Sequence, residues 1–218
     1  MALVTAGDIQ LALAYRLGED SAPNDANEKA RRLSFINEGY RGVMAKNYWW
    51  FTEASTTLNS LAGQESYGTS DGVPDFRQIL EFRFNGIVYS QITQYDAMTA
   101  YSTSYSNFVN SYFLFNGKIY PVPAISTSVT NGIALKYYQN YTKLTGDAST
   151  ILIPDLFSDI LVAYAQARVT LVDGERGSAS DSFDEYNEIL GRMVEEQNKY
   201  LFSLKDGGNV DSVQAQFP

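Results

Sequence analysis

Hydrophobic residues recur at helical spacing near the start of the chain. Thr5 and Asp8 form a pair typical of the capping box that begins a helix, here over residues 9–17. Asp25 repeats this signal before residues 27–46, where the apolar positions fall on one stripe along about five helical turns. The pattern predicts two amphipathic helices.

Between residues 48 and 153 aromatic and β-branched residues become frequent, turn dipeptides recur, and residues 77–84 alternate between the two faces of a strand. Alternation is typical of half-buried strands, and Asn-Gly favours a two-residue turn because both positions tolerate positive φ. Asn85-Gly86 and Asn116-Gly117 therefore predict two hairpins. The predicted elements are strands over residues 77–84, 87–92, 112–115, 118–122 and 133–141, and a short helix over residues 93–101.

Helical spacing returns after Gly146. Pro154 stands where proline is favoured, at the first position of a helix, and Asp173-Gly174 is typical of a helix end. Residues 181–204 place apolar side chains in alternating steps of three and four, as in an antiparallel helix pair. The sequence thus predicts an α+β fold: a discontinuous helical bundle (residues 1–47 and 154–205), a β-rich insertion (48–153) and a flexible C-terminal tail (206–218).

The chain of 218 residues contains neither histidine nor cysteine. These two absences exclude thiolate nucleophiles, histidine-dependent triads and zinc sites that use those ligands. No phosphate-binding glycine loop, dinucleotide fingerprint or calcium-loop spacing occurs. We therefore expect no enzyme activity, no cofactor and no metal. A hydrolase that uses only carboxylates stays open as the least favoured alternative.

The net charge of −9 disfavours a protein that grips nucleic acid phosphates over its whole surface. The charge is unevenly spread, because residues 28–46 are mainly basic and residues 181–206 mainly acidic. Oppositely charged helical faces on one chain predict contacts between copies, although two solvated surface helices would show the same pattern. The candidate intersubunit residues are Arg31, Arg32 and Arg41 on the basic side and Glu188, Glu195 and Glu196 on the acidic side.

Aromatic residues are concentrated in two places. Residues 48–51, Tyr-Trp-Trp-Phe, hold both tryptophans and are predicted to fill a junction in the core, the alternative being an exposed binding platform. Residues 97–135 carry one charge, on Lys118, and are rich in Tyr, Ser, Thr and Asn, which is typical of an adaptable protein-recognition surface. The candidates for a tail or subunit interface are Tyr101, Tyr105, Phe108 and Tyr112. An ordinary uncharged β domain and a carbohydrate-binding module are the alternatives.

The first residues lack the basic and apolar regions of a signal peptide, and no apolar run approaches the length of a bilayer span. We expect a soluble protein made in the cytoplasm.

The order of these features resembles the head-to-tail connector, or adaptor, proteins of tailed bacteriophages, especially those of short-tailed phages with a tubular tail. The resemblance is carried by the basic helix, the Tyr-Trp-Trp-Phe block, Val-Pro-Asp-Phe-Arg at residues 73–77, an Asn-Gly-Lys hairpin ending in Tyr-Pro-Val-Pro, and Ile-Pro-Asp-Leu-Phe at residues 153–157. It implies a structural virion protein at the neck, made in the bacterial host.

The resemblance further implies a ring of copies, a dodecamer, beneath the portal, with the β-rich part facing neighbouring copies or the next tail component, a tail tube or nozzle protein. DNA would pass through this ring without sequence-specific binding. The C-terminal tail would contact the portal, and the residues that this implies for the portal interface are Val210, Val213, Gln214, Phe217 and Pro218.

Overall fold

The computed structural model describes residues 4–103 and 110–206. The helices are α1 (Ala6–Arg16), α2 (Ala26–Lys46), α3 (Gln94–Thr103), α4 (Asp159–Val172) and α5 (Arg176–Asp206). The strands are β1 (Glu53–Ser60), β2 (Phe76–Phe84), β3 (Ile87–Gln91), β4 (Ser111–Phe115), β5 (Lys118–Val122) and β6 (Val129–Gln139). The predicted α+β fold class is confirmed. The predicted tail beyond residue 206 lies outside the described residues, as do seven candidate interface residues: Tyr105, Phe108, Val210, Val213, Gln214, Phe217 and Pro218.

The chain forms two compact units. The helical unit comprises the described residues of Met1–Phe51 and Tyr141–Pro218, and the β-sheet unit comprises those of Thr52–Asn140. The insertion is therefore shorter than the predicted 48–153, because the chain on both sides of it packs with the helices. Trp49, for example, is fully buried in the helical core.

Local capping determines where the first two helices begin. The Thr5 hydroxyl accepts a hydrogen bond from the Asp8 N–H at 3.2 Å, and the Asp8 carboxylate accepts one from the Thr5 N–H at 2.8 Å. This confirms the predicted capping box, but α1 begins at Ala6, directly after the cap, rather than at residue 9. Asp25 caps α2 by accepting a hydrogen bond from the Glu28 N–H at 2.8 Å.

The last two helices form the predicted hairpin with different starting points. The Pro154 prediction is wrong, because residues 155–157 form a 3₁₀ turn and α4 begins at Asp159. Gly174 has a φ of +88°, a left-handed conformation that ends α4 without the strain that a side chain would add. The chain then reverses at once, and α5 begins at Arg176 rather than at residue 181.

A buried asparagine fixes the segment that returns to the helical unit. The Asn37 amide nitrogen donates to the carbonyl oxygens of Leu33 and Leu144, at 3.0 and 2.9 Å. Its amide oxygen accepts from the Leu144 N–H at 2.8 Å and from the Tyr141 hydroxyl at 2.7 Å. Both hydrogens and both acceptor positions of the amide are thus used, although the residue is only 8% exposed.

The aromatic block at residues 48–51 connects the end of α2 to α5. The Trp49 indole N–H donates to the Val43 carbonyl at 2.8 Å, which confirms the predicted core position of this ring. The Trp50 N–H donates to the side-chain oxygen of Gln197, itself 1% exposed, at 2.8 Å. Residues 50–52 form a 3₁₀ turn, so the β-sheet unit begins after this block.

The β-sheet unit contains one six-stranded sheet in the order β1-β6-β2-β3-β4-β5. Both predicted hairpins are confirmed: β2 pairs with β3 and β4 with β5, and Asn85 and Asn116 have positive φ at the turns. β3 and β4 pair in parallel, and α3 connects them. Phe82, Tyr89 and Tyr112 pack together in the core, with ring centroids 5.2 and 5.1 Å from Phe82.

Two glycines provide a matched test of the packing between α2 and α4. A Cβ at Gly39 would lie 2.8 Å from the Tyr164 ring, whereas one at Gly191 would meet nothing within 4 Å. We expect Gly39→Ala to destabilise the fold by about 1–3 kcal/mol, because the ring must shift in a packed core. Gly191→Ala should stabilise it by about 0.5–1 kcal/mol through helix propensity. Urea unfolding of both variants checks this, and equal effects would contradict the close crossing.

Candidate assembly surfaces

Four carboxylates form a straight stripe along the exposed face of α5. Asp181, Asp184, Glu188 and Glu195 follow one another in steps of three, four and seven, which keeps them on one side of a helix over about 21 Å. All four are exposed, and none forms an ion pair within the described part of the chain. The buried residues of α5, such as Ile189 and Met193, lie on the opposite side. We call this set the acidic stripe.

The basic residues of α2 divide into an internal and an external group. Arg32 is 4% exposed and donates to both carboxylate oxygens of Glu19, at 2.6 and 2.8 Å, and to Glu28 at 2.7 Å. Arg31 pairs with the same Glu28 at 2.8 Å. Arg41, in contrast, is exposed and forms no ion pair in the described chain. We call the contacts among Glu19, Glu28 and Arg32 the arginine clamp.

The clamp holds its carboxylates in the charged form. The hydrogen bond from Arg32 lowers the pKa of Glu19 below its ordinary value. The hydrogen bond from Arg31, joined by the one from Arg32, lowers the pKa of Glu28. Because Glu19 lies between α1 and α2, the clamp fixes the connection between these helices.

These positions change the predicted set of intersubunit residues. The guanidinium of Arg32 is buried and pairs with Glu19 and Glu28 of the same chain, so it is not available for a contact with another copy. Glu196 is half-buried and accepts from Lys199 at 2.5 Å. Glu188, Glu195 and Arg41 are exposed and form no ion pair within the described chain, so an intersubunit role stays a prediction for these three residues.

The sequence-based set of site residues did not include Asp181 and Asp184. The three-four spacing with Glu188 was visible in the sequence, but only the position of the buried face shows that it points outward. Arg16 was also missed. It pairs with Glu185 at 2.7 Å and lies 3.7 Å from Asp159, which links α1 to both C-terminal helices.

A polar cleft of about 620 Å³ lies beside the arginine clamp and is lined by charges that include Arg16, Glu19 and Arg31. Glu19 and Arg31 take part in ion pairs with Arg32 and Glu28, and Arg16 pairs with Glu185. Among residues 4–103 and 110–206, no group of three acidic residues could hold a metal ion.

In the β-sheet unit, Tyr112 lies in the core rather than on a surface. It is 3% exposed, and burial raises the pKa of its hydroxyl to about 12. Its ring is therefore not free for the predicted interface. Tyr101 falls within α3. The exposed apolar side chains among the described residues of this unit include Tyr95, Met98 and Phe115.

The family model described as SU10 adaptor protein matches residues 4–207, which is nearly the whole chain. The chain belongs to this family. The family consists of phage head-to-tail adaptors, so the resemblance noted in the sequence is confirmed and the protein is a phage adaptor. Comparison with curated proteins finds no match. No helix among the described residues of this adaptor is long and apolar enough to cross a membrane.

The arginine clamp predicts a specific response to acid. Carboxylates with a lowered pKa in the folded state stabilise it above their ordinary pKa near 4.5, and this contribution is lost as the pH falls through the folded-state value. We expect Arg32→Met to be less stable than the wild type at pH 7. The difference in the free energy of unfolding should shrink as the pH falls below 4.5. Urea unfolding at several pH values measures it; a constant difference would show that the clamp ions do not stabilise the fold.

Proposed function

We propose that the protein is a structural virion component that forms a ring beneath the portal at the phage neck, docks the tail and lets DNA pass. The observation that carries the proposal is the acidic stripe, because four exposed carboxylates without an ion pair in the described chain present a surface for a complementary basic partner. Family membership supports the location at the neck and the absence of catalysis.

The contact between copies is proposed to join the acidic stripe of one subunit to the α2 face that carries Arg41 on the next. Such a contact uses two different surfaces, so it is heterologous and generates a ring when the rotation closes. We propose twelve copies from the family resemblance. The net charge of −9 supports passage of DNA without sequence-specific binding, because the surplus repels phosphates.

The C-terminal segment is proposed to contact the portal through Val210, Val213, Gln214, Phe217 and Pro218. The support is its composition, since residues 207–218 include only four apolar residues, namely Val210, Val213, Ala215 and Phe217. Four apolar side chains are too few to offset an ordering cost of about 1–2 kcal/mol per residue. Binding to a partner would supply the missing contacts.

Charge reversal tests the ring. Each exposed ion pair is worth only about 0.2–1 kcal/mol, so single changes should weaken assembly slightly, whereas the triple variant Asp184→Lys, Glu188→Lys and Glu195→Lys should block it. A control variant reverses Asp20, Glu65 and Asp155, which are exposed acids outside the stripe. Negative-stain imaging and mass photometry at low salt count the copies. If the stripe variant forms rings of the same size and in the same amount as the control, the proposed contact is refuted.

Deletion of residues 207–218 tests the portal contact. We expect an almost unchanged melting temperature and loss of binding to purified portal rings. Val210→Ser, Val213→Ser and Phe217→Ser together should reproduce the loss, and Ser212→Ala with Gln216→Ala is the matched control that should bind normally. Normal portal binding by the deletion variant would disprove this role.

A further inference from the structure

The two edges of the six-stranded sheet differ in how they are covered. At the β5 edge, Tyr67 and Ile119 exchange both backbone hydrogen bonds, each 2.9 Å long. Pro121, in the same strand, has no N–H to donate. Together these features close β5 to pairing with a further strand.

The β1 edge has no comparable cover. β1 is eight residues long and pairs with β6 on one side, while no strand or isolated bridge in the described chain pairs with its other side. Residues 54–60 contain no charge and no proline, the usual protection of a sheet edge. A register shift lies between Leu58 and Ser60, which leaves residues 53–58 in regular pairing.

The side chains of β1 are also suited to a neighbouring strand. Ser55 and Thr57 are exposed, small and polar, so they would not obstruct an incoming backbone. Ala54 and Thr56 share the face of buried Leu58 but are only half-buried. The inner side of the sheet is therefore incompletely covered at this edge, and an added strand would cover it.

We propose that the outer edge of β1 docks an extended, uncharged segment of the tail component, which adds a seventh strand to the sheet. The inference rests on the proposed function, because it assigns the tail-binding site of the adaptor. The lack of charge along residues 54–60 fits a segment that is itself uncharged, since Glu53 and Lys136, the charged residues at the start of this edge, pair with each other.

A second copy fits this edge less well. Because β5 is closed and the other strands are internal, a second copy could offer only its own β1 from the described sheet. Two β1 strands paired with each other form an isologous contact, which ends at a dimer and does not continue around a ring.

The double variant Ser55→Lys and Thr57→Lys tests the proposal in the full chain, because lysine on an edge strand opposes strand addition. The matched control, Gln78→Lys and Ser90→Lys, adds the same charges at exposed positions of the internal strands β2 and β3. Each protein is loaded on portal rings and titrated with the purified tail component of the same phage. Hydrogen exchange of residues 53–60 is followed before and after binding.

We expect tail binding to slow exchange in β1 of the wild type at least tenfold, and the double variant to bind the tail component at least tenfold more weakly. Portal binding and melting temperature should match those of the control. Normal tail binding by the double variant, or unchanged β1 exchange in the bound wild type, overturns the proposal. Wild-type dimers that the double variant loses overturn it in favour of a second copy. Wild-type complexes that bind portal but no tail component overturn the proposed tail docking as well.

Discussion

The helical unit depends on one buried amide that joins two distant parts of the sequence. Asn37 and Leu144 are 107 positions apart in the sequence. The Asn37 side chain supplies hydrogen-bond partners for both the N–H and the carbonyl of Leu144. A buried polar group left without a partner costs about 1–3 kcal/mol, so neither the helix nor the returning segment satisfies these groups alone. Tyr40 extends the junction by accepting a hydrogen bond from the Leu152 N–H at 3.1 Å. This junction holds the segment that leads into α4 against α2.

Charged residues in this protein serve two different purposes, which their sequence positions do not distinguish. Arg32 and Arg41 both lie on α2, but Arg32 is enclosed by two carboxylates of its own subunit and Arg41 is exposed. Removing one partner from an enclosed pair leaves a buried charge, whereas removing an exposed partner costs little. We therefore expect fold stability and the proposed assembly to be separable, with changes in the clamp affecting the first and changes in the acidic stripe affecting the second.

Features that depend on adjacent residues could be predicted from the sequence, whereas contacts between distant residues could not. The turn at Asn116-Gly117 is determined by two adjacent residues, and β5 has the bounds that the sequence predicted. The burial of Arg32 depends on Glu19, thirteen positions earlier in a connecting loop, and a basic residue on an amphipathic helix gives no sign of it. Tyr112 entered the core because β4 pairs in parallel with β3, which an uncharged, tyrosine-rich composition does not specify. The acidic stripe was partly predicted, because its spacing is local but its orientation depends on tertiary packing.

The β-sheet unit enters and leaves the chain at neighbouring points, because Glu53 at the start of β1 pairs with Tyr138 near the end of β6. Because the two ends of the insertion lie side by side, the helical unit does not have to bridge a long distance between them. A longer insertion adds little to the entropy cost of closing this loop. The host core therefore places few limits on what is inserted. A different insertion whose ends lie equally close together could therefore replace this unit while the helical unit kept its sequence.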